Sequence, residues 1–318
     1  MLYNEELKKE FLNTYTQSDV AFRKTELIFQ KIGDIESEYN TDLCYVVDKD
    51  MLLKMIRVVS ANRSTGTNIK LSILRRYVNW CSERLDGVSA ELINSISAED
   101  INIDYIKLHM ASDSGDFKYY LSTFLRSDDD LTMDIVFKCI MWMGYSGIPE
   151  EKITDIKTED VQLEVINNRF VILNEGLLYS VPAEAFDTFK KCVELTGFNY
   201  EYSKATKMVP RADGNKLLRG IKAVSSQTYL IQQLSVKRKQ KNLERNINYT
   251  SATWSGFFYR LHELEKKNKI DFLEEAGKYI GDRIYKLDKT RMSQENIRTK
   301  ISKEIKFDYE LWKKAFGK

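Results

Sequence analysis

Breaks are scarce in this chain. Its 318 residues contain three prolines and fourteen glycines. That is too little punctuation for a sandwich or barrel of many short strands, so a mainly helical chain is expected. Histidine is scarcer still, with only His109 and His262, and the four cysteines (Cys44, Cys81, Cys139 and Cys192) form no Cys-x-x-Cys pair. This spacing argues against a zinc site, and no cofactor is expected; the thiols read as buried or incidental. No run approaches the ~20 apolar residues of a membrane span. The opening residues MLYNEELKKEFLNTY lack the apolar core of a secretory signal, so a cytoplasmic protein is expected.

The composition is that of a soluble globular chain, 43% hydrophobic and 30% charged, and its length suits two domains with a core each. Net charge is only +2, but it is unevenly spread. Between Lys204 and Arg245 stand eleven Lys or Arg against two acids, Asp213 and Glu244. A segment of +9 in a chain whose remainder is −7 is a footprint for an anionic partner, with a solvated charged face as the alternative.

The first ~110 residues read as helices. In TNIKLSILRRYVNWCSERL, Ile69, Ile73, Tyr77 and Trp80 can share one apolar face, with Thr67 as N-cap. Ser, Asp and Gly cluster from Ala111 to Asp116, and a linker is placed over residues 116–127, with room for a short helix at Phe117 to Leu125 inside it, between a helical domain at 1–115 and a second domain at 128–318. The second domain opens with the apolar helix LTMDIVFKCIMWMGYSG, whose Met141, Trp142 and Met143 are expected in the core. VQLEVINNRFVIL alternates and breaks at Asn167-Asn168, a hairpin signal. LLYSV adds a third strand and AEAFDTFKKCVELTG restores helix. The fold class expected is mainly α with a small antiparallel β-sheet.

The stretch SGIPEEKITDIKTEDV, with Gly147, Ile153, Ile156, Lys157, Glu159 and Asp160 in register, resembles the first-arginine motif of the tyrosine recombinases, the phage integrase family. YSVPAEAFDTFK resembles that family's following strand and helix. The resemblance covers about Thr132 to Asp282, and the order of helices extends it over residues 1 to 110. It implies a helical core-binding domain followed by a catalytic-like domain. It also places Pro149 where the family has its first catalytic arginine, a residue that must clamp the scissile phosphate; proline has no donor. The family's hairpin lysine falls at LNEGLL, where Asn174 and Glu175 stand. Its His-x-x-Arg helix falls at YTSATWSGFFYRL, with Ser251 at the histidine and Trp254 or Ser255 at the arginine, while Arg260 and His262 lie too late. Asp282 replaces a second histidine, and Arg291 or Met292 stands where the nucleophilic tyrosine belongs. Tyr285 is too near and Tyr309 too far.

The resemblance therefore implies a catalytically inactive scaffold, similar to integrase-fold repressors of temperate phages, and not an enzyme. SSQTYLIQQLSVKRKQKNLERN resembles the helix that recombinases lay in the major groove. DNA contacts are expected from Ser225, Ser226, Gln227 and Thr228 at its start, and from Lys237, Arg238, Lys239, Lys241 and Arg245. A second set is Arg211, Lys216, Arg219 and Lys222; a third, in the helical domain, is Arg63, Lys70, Arg75 and Arg76. Trp254 could pack over sugar and phosphate, although a half-buried packing residue is the plainer reading. The expected partner is a double-stranded operator, with a phage-encoded antirepressor or regulatory protein to release it, in the cytoplasm or nucleoid of a bacterial host. The expected function is a sequence-specific repressor that maintains lysogeny. An active recombinase with rearranged residues and an interaction protein without DNA binding are the competing readings.

Overall fold

The computed structural model describes residues 2–15, 19–59, 64–202, 205–220, 226–269, 271 and 294–318. It is mainly helical with small antiparallel sheets, as the sequence implies, and the chain divides into two compact units. Among the described residues there is no cluster of metal-ligating side chains and no helix long and apolar enough to cross a membrane.

The first unit comprises Met1–Ile106 and, from the far end of the chain, Glu304–Lys318. It contains α1 (Glu5–Leu12), α2 (Asp19–Tyr39), α3 (Lys49–Arg57), α4 (Ser64–Ser82), α5 (Glu91–Ser95) and most of α6 (Ala98–His109). Asp48 starts α3 by accepting from Met51 N at 2.7 Å, one of the orphan donors that every helix start must satisfy. Phe11, Phe29 and Tyr77 meet edge to face at the centre, with centroids 4.9–5.9 Å apart. Beside them lies a charged residue in the core: Lys8 is fully buried between Glu36 and Asp42. Tyr77 donates to Asp42, and Leu43 N and Cys44 N donate to Glu36 and Asp42. Burial pushes the Glu36 carboxyl up, and Lys8 opposes that shift.

Two expectations for α4 change here. Tyr77 is buried and Ile73 and Trp80 partly so, but Ile69 is 65% exposed. The helix begins three residues before Thr67, which is no cap; its hydroxyl donates to Asn102 at 3.0 Å in the interior.

The second unit is Lys107–Lys303. It opens with α7 (Ser114–Ser122) and α8 (Asp134–Tyr145), followed by two short 3-10 turns. Strands β1 (Val161–Ile166), β2 (Arg169–Asn174) and β3 (Leu177–Pro182) form the antiparallel sheet in the order β1-β2-β3. Then come α9 (Phe186–Glu194), the hairpin of β4 (Gly197–Tyr202) and β5 (Ala205–Pro210), α10 (Gln227–Gln240) and α11 (Tyr249–Lys266). The last helix, α12 (Gln294–Phe316), carries the chain back to the first unit. There Ile305, Tyr309, Leu311 and Trp312 are buried, and Lys314 pairs with Glu99 of α6.

The expected boundaries 1–115, 116–127 and 128–318 thus shift. Residues 116–127 are no linker, because α7 buries Phe117, Tyr120 and Leu121 in the second core. Phe117 stacks on Tyr145 at 4.7 Å. The tail, Glu304–Lys318, belongs with the first unit.

Helix α8 is the axis of the second core, and Met141, Trp142 and Met143 are buried as expected. It is crossed closely by α11. A Cβ on Gly256 would overlap the Tyr145 carbonyl, and one on Gly144 would press on the Tyr249 ring at 3.0 Å. Tyr249 also donates to Ile148 O at 2.7 Å. The end of α8 needs Gly147, whose φ of +86° closes the helix while Ile148 N returns to Met143 O.

Candidate nucleic-acid interface

The turn after α8 is where the phosphate-clamping arginine of the resembled motif would stand. Gly147 brings the chain out of α8, and Pro149, at φ −61° and ψ 140°, enters the 3-10 turn Glu150–Asp155. The stretch forms 3-10 turns at Glu150–Asp155 and Thr158–Asp160. Position 149 has neither a side-chain donor nor an N-H.

The neighbouring positions have local duties. Glu175 lies in the two-residue turn between β2 and β3 with Gly176, both at positive φ, and pairs with Lys152. Ser251 is half of a capping box: its Oγ accepts from Asn248 N and its own N-H donates to Asn248 Oδ1, both at 2.8 Å. Ser255 is buried and accepts from Ala111 N at 2.9 Å. Trp254 is half-buried and packs against Phe257 and Phe258. Asp282, with Tyr285, Arg291 and Met292, lies outside the described residues. Tyr309 is fully buried beside Trp312 in the first unit.

One guanidinium does reach this turn, and sequence spacing did not find it. Arg260 donates to Tyr145 O at 3.1 Å and lies beside Gly147. A position one turn beyond the motif can reach it because α11 crosses α8 at the glycines.

The basic segment proves to be largely internal scaffolding. Arg211 is buried; it donates to Cys192 O, Leu195 O, Leu217 O and Arg219 O. Lys216 binds Asp155. Arg219 donates to Lys216 O at 2.9 Å, and burial, followed by repulsion from Arg211, pushes its guanidinium down. Lys237 pairs with the buried Asp134 at 2.8 Å over the Phe137 ring. Arg238 closes the loop after α10 by donating to Asn246 Oδ1 and Ile247 O, both at 2.8 Å. Arg245 forms a bidentate pair with Asp116 at 2.7 and 2.9 Å and also donates to Met110 O. His109, which the sequence left without a function, binds Asn246 O at 2.9 Å and ties down the same loop. Lys204, Lys222 and Ser225 lie outside the described residues. Of the eleven cations, Lys207, Lys239 and Lys241 are the exposed ones without an ion pair among the described residues.

At the start of α10, Ser226 is the N-cap and accepts from Tyr229 N. Gln227 is spent on Glu150 at 2.8 Å and holds α10 against the Pro149 turn. Thr228 is exposed. At the other end, Ser235, Arg238, Lys239, Asn242, Arg245 and Asn246 line a shallow depression of about 230 Å³. Its polar groups are cations and neutral donors, which suits an anion the size of a phosphate.

In the first unit, Arg75 is structural: it donates to the carbonyls of Ile93, Asn94 and Ile96 that end α5. Arg76 is exposed and lies over the Tyr15 ring at 4.5 Å. Lys70 is partly buried, and desolvation, with Lys31 adding repulsion, pulls its ammonium down. Arg63 lies outside the described residues.

Residues 2–83 match the family described as MrpR, N-terminal core-binding domain. The matched stretch contains α1 to α4, the Lys8 network and the face of α4 that carries Lys70 and Arg76. A solved structure that matches over 95% of both chains is a crystal structure of a lambda integrase(75-356) dimer bound to a COC′ core site, at 11% identity and a TM-score of 0.32. No curated protein sequence matches the chain.

Proposed function

We propose that this protein binds duplex DNA sequence-specifically on a tyrosine-recombinase-like scaffold, does not cut it, and acts as a transcriptional repressor. The observation that carries the reading is Pro149. The turn at which the resembled motif would hold a phosphate clamp has Gly147 at positive φ and a 3-10 turn following, and Pro149 offers no donor there. A tyrosine attacks a phosphate only if that phosphate is held and the leaving oxygen protonated. Glu175 and Ser251 have been taken into an ion pair and a capping box. DNA binding itself is supported by the core-binding match over residues 2–83 and by the exposed Lys239 and Lys241.

The natural setting of such a molecule is the switch of a temperate phage, where a scaffold derived from an integrase holds lytic promoters shut, as the repressor of SPbeta-type phages does. A phage-encoded antirepressor is then the partner that releases it, in the cytoplasm of the host. The test is to offer the purified protein a nicked suicide duplex and promoter-bearing phage or host fragments in parallel. Retarded promoter fragments, reduced transcription from them and no covalent adduct are the expected outcome. An adduct abolished by a single Tyr→Phe change would establish a recombinase instead.

A further inference from the structure

Acidic residues occur on nearly every helix. Of the twelve described helices, α4 and α10 alone contain neither Asp nor Glu, and each unit has one of them. At the chain's average density of acids the two helices would carry about five between them. Neither helix is hidden, so burial does not explain the exclusion.

Their exposed faces are also unlike an ordinary solvated surface, which would carry lysine and glutamate. On α10 the exposed residues Thr228, Tyr229, Gln232, Val236, Lys239 and Gln240 fall within roughly 120° of arc at 3.6 residues per turn. Tyr229 is 50% and Val236 40% exposed. On α4 the exposed Asn68, Ile69, Ser72 and Arg76 do the same. Each stripe thus mixes amide, hydroxyl and apolar groups, with a cation at its C-terminal end.

That mixture matches base edges. A side-chain amide can bond adenine at N6 and N7 together, hydroxyls donate or accept, and apolar groups meet the thymine methyl. A carboxylate on the same face would lie within a Debye length of several phosphates and be repelled by them. Lys239, at the end of the α10 stripe, and Lys241 next to it have no ion pair among the described residues, and the depression lined by Ser235, Arg238, Lys239 and Asn246 adjoins the stripe. The charge pattern therefore favours duplex DNA over a protein surface as the occupant.

We propose that each unit reads base edges with the uncharged exposed face of its acid-free helix: Asn68 and Ser72 on α4, and Tyr229, Gln232 and Val236 on α10. Arg76 and Lys239 flank these faces as phosphate contacts. The inference rests on the DNA-binding reading and adds to it the residues that set the sequence.

Selection of the full-length protein on a randomised duplex pool tests it, with thermal unfolding to show that each variant is folded. The intact protein is expected to enrich one motif. Gln232→Ala should lose the preference at one base pair of that motif by roughly 5- to 150-fold, and Asn68→Ala at another. Lys241→Ala should weaken every sequence alike and enrich the same motif. If folded Gln232→Ala and Asn68→Ala both enrich the parent motif unchanged, these faces do not read DNA, although DNA binding stands. If the intact protein retains no duplex at any salt concentration, both readings fall.

Discussion

Lys237 and Arg245 show why charge alone misplaces a binding site. Each sits in the +9 segment, and each is neutralised inside the molecule, by Asp134 and Asp116. The run is visible in sequence, but its partners come from elements more than a hundred residues away. Replacing Arg245 with alanine is therefore expected to lower stability by about 1–3 kcal/mol, since Asp116 and Met110 O lose its hydrogen bonds, and denaturant unfolding would measure it. Lys239→Ala and Lys241→Ala, at exposed unpaired positions, should leave the unfolding midpoint in place. Each should weaken DNA binding and reduce the slope of log K against log salt by about one. If the Arg245 variant keeps full stability and loses DNA binding, the assignment is reversed. Lys8 gives the counterpart in the first unit. Lys8→Met leaves Glu36 and Asp42 facing each other without a cation, and a loss of about 3–5 kcal/mol is expected on the same measurement. No sequence pattern announces this network, because a lysine inside a helix rich in Lys and Glu, as α1 is, looks like any surface residue.

At the scale of elements, the local signals were readable and the long-range ones were not. Asn167 and Asn168 mark their hairpin through side chains that tolerate positive φ, and the structure places both there. The β2–β3 turn follows the same logic with Glu175 and Gly176. The β4–β5 hairpin has its period in FNYEY and ATKMV, which alternate, but that period lies within a basic run whose charge is the stronger pattern. The residues 116–127 looked like a linker since Ser, Asp and Gly precede them; the aromatic spacing Phe117, Tyr120, Phe124 was the better signal of a buried helix. The two acid-free helices were equally readable, as an absence rather than a motif. The return of α12 to the first unit was invisible, since sequence shows an amphipathic tail and not what it covers. Deleting residues 304–318 removes Ile305, Tyr309, Leu311 and Trp312 from that unit, at about 1.5–3 kcal/mol for each large side chain. Hydrogen exchange is expected to show α6 losing protection in the truncated chain. Unaltered protection would mean that the helix is an appendage rather than part of the core.

At the scale of the whole molecule, the proposed function asks a recombinase-like scaffold to keep DNA binding without strand cleavage, and binding and cleavage make separate demands. Binding needs exposed donors and cations on faces free of acid; cleavage needs a clamp, a proton donor and a nucleophile converging on one phosphate. On this proposal the first demand falls, among the described residues, to α4, α10, Lys239 and Lys241, while the positions that the resemblance gives to the second carry Pro149, Glu175 and Ser251. The measurement that bears most directly on this account is retention of phage or host genomic fragments by the purified protein over a salt series, with footprinting and denaturing gels on what is retained. Discrete protected sites beside promoters, binding that falls steeply with salt, and intact strands are the result expected. Retained fragments cut and covalently joined to protein, or no retention at low salt, would contradict it.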